Sequence, residues 1–251
     1  MVASCLAVYV LSEDAGAGEG EYVHRTWVAL LRRMLRIVDP ACDTQPACVA
    51  FEQPEPGVRE VMAGNQWRVR RRNHPARVHF WRVIADRLQE GCVVVFHVDG
   101  DVSWAAQADS ETVADVERIA RARLRDVLLE RNATDCAALM RCFVAVHPFY
   151  EVEAWLFQNT PVLRRLCEGR PDLWPRINAW EQDRARLDGL EKPKREMPFM
   201  ARHNRELAEE AFPAEAVFAA EGSFHHAVLA LDGCPAVRAG LAATHAADRF
   251  R

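Results

Sequence analysis

Short apolar runs alternate with longer amphipathic ones over the first two thirds of the chain. Leu6 to Leu11 is apolar throughout and ends in Ser12-Glu13-Asp14, followed by an acidic, glycine-rich stretch from Ala15 to Glu21. From Tyr22 to Val38, residues Trp27, Leu30, Leu31, Met34, Leu35 and Val38 recur at helical spacing, with Pro40 just beyond as a stop. Cys48 to Phe51 is a weaker strand, and residues 53–75 read as irregular and basic. Pro75 opens a helix whose apolar stripe is Val78, Trp81, Val83, Ile84 and Leu88. The run Cys92 to Val98 has the composition of a strand buried on both faces, and it ends abruptly in Asp99-Gly100-Asp101. Thr112 to Arg131 is amphipathic, and Cys142 to Val146 is one more buried strand, closing in His147-Pro148 and a turn into a helix. This β-α-β-α order predicts an α/β fold: a Rossmann-like, mostly parallel sheet with helices on both faces, over residues 1–160. Residues 161–251 show helical and irregular segments only and predict a helical C-terminal extension packed on it. Plausible helices there are Pro161 to Cys167, Pro171 to Trp180, Asn204 to Ala211, Ser223 to Leu231 and Pro235 to His245, with a charged loop over Glu191 to Glu196.

A chain of 251 residues can bury a sizeable core. Its net charge of −4 provides no global attraction to nucleic acid, so such a contact needs a local basic patch. The most basic stretch is Trp67 with Arg68, Arg70, Arg71 and Arg72. Arginines pair with phosphates and an aromatic can stack on a base; the alternative is a surface cluster paired with acids. Lys192 and Lys194 are the chain's two lysines. The eight cysteines form no Cys-x-x-Cys pair, which suits reduced thiols more than a zinc site. No apolar run approaches a membrane span and no signal-peptide pattern opens the chain, so a cytoplasmic protein with no membrane partner is expected.

The chemistry concentrates at the strand ends. Glu13 follows the first strand, Asp99 and Asp101 the third, and Glu151 and Glu153 the last. In a parallel sheet these acids share one edge, the edge where ligands bind. Carboxylates brought together repel unless a cation offsets them, and oxygen-only donors suit a hard divalent ion. The alternative is that they sit apart on the rim and face water. His97, inside a strand, reads as a buried, hydrogen-bonded histidine rather than a ligand; His147, at a strand end, stands evenly between the two. The glycine-rich loop lacks Gly-Lys-Ser/Thr and is crowded with acids, which argues against a phosphate loop. The absence of a Gly-x-Ser-x-Gly elbow argues against a serine hydrolase.

A glutamate after the first strand with Asp-x-Asp after a later one, here Glu13 and Asp99-Gly100-Asp101, resembles the TOPRIM family of topoisomerases, primases and OLD-family nucleases. Glu151-Val152-Glu153-Ala154-Trp155-Leu156 resembles a segment of its RloB-like, phage-defence-associated branch, as do Lys192 to Arg195, Gly222 and Cys234-Pro235. The chain departs from that pattern where Glu13 is followed by Asp14 and a longer loop, so the family's next glutamate falls on Glu19 or Glu21. The resemblance implies a Mg²⁺- or Mn²⁺-dependent nuclease acting on DNA or RNA, in anti-phage defence or DNA repair, with an ATPase subunit as a candidate partner and a homo-oligomer left open. Asp99, Asp101, Glu13 and Glu153 would hold metal, and Glu13 could instead be the general acid or base. Lys192, Lys194 or Arg195 would offset charge in the transition state, with Arg195 and the Arg68–Arg72 stretch on the nucleic acid. Two rivals stand beside it: a non-catalytic binding subunit of the same fold, and a metal-dependent phosphohydrolase of small molecules, which would need a closed pocket.

Overall fold

A computed structural model describes residues 6–14, 20–42, 48–68, 74–100 and 113–248. Strands β1 (Leu6–Ser12), β2 (Val49–Glu52), β3 (Val93–His97) and β4 (Phe143–Val146) form one sheet in the order β2-β1-β3-β4, and every pairing is parallel. The strands are rich in Val, Leu and Phe, as sheets covered on both faces require.

Alternation along the strands divides the core. Leu6, Val8 and Val10 of β1 with Val93 and Val95 of β3 face helix α1 (Gly20–Val38), through Trp27, Leu31 and Leu35. Tyr9, Leu11, Val94 and Phe96 face the other way, towards α2 (Pro56–Ala63), α3 (Pro75–Gln89) and α4 (Val113–Glu130). A short α5 (Cys136–Arg141) precedes β4. Beyond β4 come α6 (Glu153–Leu156), α7 (Thr160–Leu166), α8 (Trp174–Gln182), α9 (Arg184–Asp188), α10 (Pro193–Glu196), α11 (Asn204–Glu209), α12 (Ala214–Ala219), α13 (Ser223–Asp232) and α14 (Pro235–Asp248). These C-terminal helices join the α1 side of the core through Trp155, Leu163, Leu207, Phe224, Val228 and Leu241.

Several local expectations need correction. Residues 53–75 are not simply irregular: Pro56 opens α2, pre-set for a helical first turn, and Val58, Val61 and Met62 bury one face. Pro54, Pro56, Gly57 and Gly64, so close together, hide that periodicity. Residues 193–196 form a turn of helix where a loop is expected, again behind a proline. Trp67 is fully buried, edge-on to Trp81 at 6.1 Å and to Phe96 at 5.1 Å, so it cannot stack on a base. Its indole supplies apolar area to the α2–α3 core, and the Arg68 guanidinium lies over its ring at 4.8 Å. Among the described residues, no helix is long and apolar enough to cross a membrane.

Candidate functional site

The strand order places a switch point between β1 and β3: the chain leaves β1 for β2 on one side, then crosses to β3 on the other. In open α/β sheets the crevice beyond such a point is where ligands bind. The register pairs Ser12 with His97, the last residues of the two strands. Both face the α1 side, where Trp27 lies over the imidazole with ring centroids 4.1 Å apart.

His97 is fully buried and both its nitrogens are engaged, Nδ1 with Ser12 Oγ at 2.9 Å and Nε2 with Asp99 Oδ1 at 3.0 Å. Burial lowers its pKa to about 4, so the ring is neutral and carries one N–H. That proton belongs on Nε2, facing the Asp99 carboxylate, which leaves Nδ1 to accept from the Ser12 hydroxyl. The Val152 amide also donates to Asp99 Oδ1, at 3.2 Å. His97 therefore orients Asp99, in keeping with the buried, hydrogen-bonded role.

Asp14, two residues past Ser12, completes the group. One oxygen of Asp14, one of Asp99 and a ring nitrogen of His97 lie within 4.8 Å of one another and could hold a metal ion. Burial, then the Asp99 carboxylate, raises the Asp14 pKa from its ordinary 3.8 to about 7. Two acids facing each other at this cost suit an incoming cation, which would relieve the repulsion. With both ring nitrogens of His97 committed, the donors left are carboxylate oxygens, a set that fits Mg²⁺ or Mn²⁺.

The remaining acids arrive from elsewhere. Glu13 Oε1 accepts from the Asp99 backbone amide at 2.6 Å, tying the end of β1 to the end of β3. Glu153, buried at the start of α6, accepts from Asn204 Nδ2 at 2.6 Å and faces Lys194 Nζ at 3.3 Å. Lys194 Nζ also lies 3.7 Å from Asp14 Oδ1, and the Lys194 amide donates to Glu151 Oε2 at 3.1 Å. Burial works against the ammonium, but Glu153, Asp14, Asp99 and Glu151 outweigh it and hold its pKa above the ordinary value. Asp14, Glu153 and Lys194 border a cavity of about 130 Å³, lined also by Tyr22, Thr26, Trp27 and Asn204.

Gly100 shows why the loop needs glycine: a Cβ there would fall 2.0 Å from the Phe149 carbonyl oxygen and 2.7 Å from that of Pro148. The backbone after β3 thus presses against the backbone after β4. The 149–155 segment is itself anchored from behind. Ser223 Oγ accepts from the Phe149 amide at 3.0 Å and from Trp155 Nε1 at 2.7 Å, and donates to Asp188 Oδ1 at 2.5 Å.

Of the expected site residues, Glu13, Asp99, Glu153 and Lys194 converge. Lys192 supplies the left-handed turn (φ 54°) before α10, and Arg195 is exposed on that helix. Asp101 and Arg70, Arg71 and Arg72 lie outside the described residues, as does Glu19; Glu21 sits in the first turn of α1 and pairs with Arg25. Position at the strand end alone favours Glu13 over Asp14. The signal lay in the alternation: Ser12 and Asp14, like His97 and Asp99, are two apart and take the same side. His147 donates from Nδ1 to the Val98 carbonyl at 3.1 Å, the structural one of its two readings. Comparison with protein-family models, curated proteins and solved structures finds no match.

Proposed function

We propose that this chain is a Mg²⁺- or Mn²⁺-dependent nuclease of TOPRIM type. The observation that carries the reading is the convergence of Asp14 and Asp99 across the β1/β3 switch point, with Glu153 and Lys194 brought in from the C-terminal region. Asp14 and Asp99 are the residues that would hold the cation. Bound there, it would supply Lewis acidity to a phosphoryl oxygen and lower the pKa of an attacking water. His97 keeps Asp99 in place through its Nε2–H, and Ser12 keeps His97 in one tautomer. Lys194 sets a fixed positive charge beside the acids, suited to a phosphodiester's charge. Glu13, bound to the Asp99 amide, sets the spacing of the two strand ends.

The cavity speaks against the small-molecule rival. Pockets for such ligands run to roughly 300–1,000 Å³, whereas the space at this site, among the described residues, is about 130 Å³. A substrate that lies across the edge and inserts one phosphodiester fits better than one enclosed. Nucleic acid is accordingly the proposed partner, with an ATPase subunit or a second copy of the chain as further proposals from the same resemblance.

The test is cleavage of plasmid DNA and of RNA by the purified chain with Mg²⁺ or Mn²⁺, beside Asp99→Asn. Metal-dependent cleavage that falls at least about 100-fold in the variant is the expected result. Cleavage indifferent to metal or to Asp99→Asn overturns the reading. No cleavage of either polymer, together with no metal binding, transfers support to the binding subunit.

A further inference from the structure

Glu153 is almost completely buried, and a carboxylate so placed needs a counter-charge or a full set of donors. Its Oε1 receives Asn204 Nδ2, and its Oε2 faces the Lys194 ammonium. The same ammonium reaches Asp14 Oδ1, while Asp14 Oδ2 is turned to the His97 side at 4.0 Å. Asp14 therefore faces two positions suited to positive charge. One is the space between its carboxylate and that of Asp99; the other is filled by Nζ. In two-metal phosphodiesterases the two cations sit roughly 3.5–4 Å apart on a bridging carboxylate. Here the second of those positions holds a side chain.

We propose that the Lys194 ammonium is a built-in second cation, so that the site takes a single divalent ion, at Asp14 and Asp99. The inference rests on reading the site as a metal centre and gives it a defined stoichiometry. The surroundings hold Lys194 there. Its own amide is bound to Glu151 Oε2, Lys192 turns the chain in the left-handed region just before it, and Pro193 is buried. Arg176 Nη1 donates to the Glu196 carbonyl at 2.7 Å, fixing the far end of the short helix. A lysine suits the position because its charge is compact, where a planar guanidinium would need a wider gap between the two carboxylates. In a chain so dominated by arginine, one of the two lysines stands here.

Removing the charge should convert the site. Without the ammonium, Glu153 and Asp14 face each other uncompensated beside a cavity of about 130 Å³ lined by both and by Asn204, room enough for a hydrated ion. The experiment is calorimetric titration of the metal-stripped full chain with MnCl₂ alone, read together with Mn²⁺ electron paramagnetic resonance. Wild type should take one Mn²⁺ per chain with an uncoupled signal. Lys194→Gln should take two with a spin-coupled signal, and Lys194→Arg should remain at one. Two ions in the wild type overturn the proposal whatever the variants do, including a variant that fails to fold. So does a folded Lys194→Gln that binds one ion with affinity within twofold of wild type. No ion in the wild type removes the metal centre itself and the proposal with it, a result distinct from a count of two.

Discussion

His147 should make this protein sensitive to acid, by an amount that follows from its surroundings. Its Nδ1–H is spent on the Val98 carbonyl, and its Nε2 is buried without a hydrogen-bond partner. Protonation would put a charge on Nε2 with nothing to receive it. Burial accordingly lowers the pKa from 6.5 to about 4, with the nearby His97 and Arg68 adding to it and the Val98 bond and Glu117 opposing. A basic group whose folded pKa is depressed takes up its proton in the unfolded chain first. Its contribution is intact above pH 6.5, shrinks as pH falls, and is exhausted below the folded value of about 4. At about pH 4.5 that linkage amounts to roughly 2.5 kcal/mol, and at about pH 7.5 to almost nothing. The perturbation is His147→Asn, whose amide N–H can still reach the Val98 carbonyl but does not titrate. It should cost about 1–2 kcal/mol in lost ring packing at all pH values. The assay is urea unfolding followed by tryptophan fluorescence at several pH values. Wild type should lose its advantage over the variant between about pH 7.5 and 4.5, by about 2.5 kcal/mol. A difference constant to within about 0.5 kcal/mol over that range would refute the argument.

Asp14 should act with the opposite sign. Its folded pKa of about 7 lies above the ordinary 3.8, so its contribution is complete below pH 3.8 and lost as pH rises through about 7. Asp14→Asn should therefore stabilise the metal-free protein near pH 8, by roughly 2 kcal/mol after allowance for the part of the side chain that meets solvent, and a lower melting temperature than wild type at that pH would count against it. Ser223→Ala should strip partners from the Phe149 amide, the Trp155 indole and the buried Asp188 carboxylate together, costing about 3 kcal/mol in urea unfolding at neutral pH. A loss below about 1 kcal/mol would mean that water takes over the hydroxyl's bonds.

The sheet was readable because its signals are local. Leu6 to Leu11, Cys92 to Val98 and Cys142 to Val146 carry β-branched and aromatic residues in short runs, and the helices between them carry a 3.6-residue stripe. Order of elements then dictates parallel strands. What sequence could not supply was burial outside those runs. Trp67 sits in an arginine-rich stretch and reads as a surface aromatic, yet its ring fills the space between α3 and β3. Composition around a residue describes its neighbours in the chain, whereas packing depends on neighbours in space. The same limit hid α2, whose three buried residues give too few turns for periodicity to register.

The site shows the same boundary more sharply. That acids end the strands is written in the chain; which acid faces the crevice depends on pleat. Side chains two apart share a side of a strand, so the pair Ser12 and His97 in register sends Asp14 and Asp99 to the α1 side together, and leaves Glu13 to reach the Asp99 amide instead. That step needed only the strand pairing, which the βαβ order nearly determines. Lys194 is different. It lies 180 residues past Asp14, with helices α1 to α9 between them, and no period or motif links the two. Its place comes from the way α10 docks beside α6, through the Glu151 bond to its amide and the buried Pro193. A convergence of that kind is a property of the packed C-terminal helices. It follows that α10 and α11 are part of the site, because they bring the Lys194 ammonium and the Asn204 amide to the buried Glu153 carboxylate.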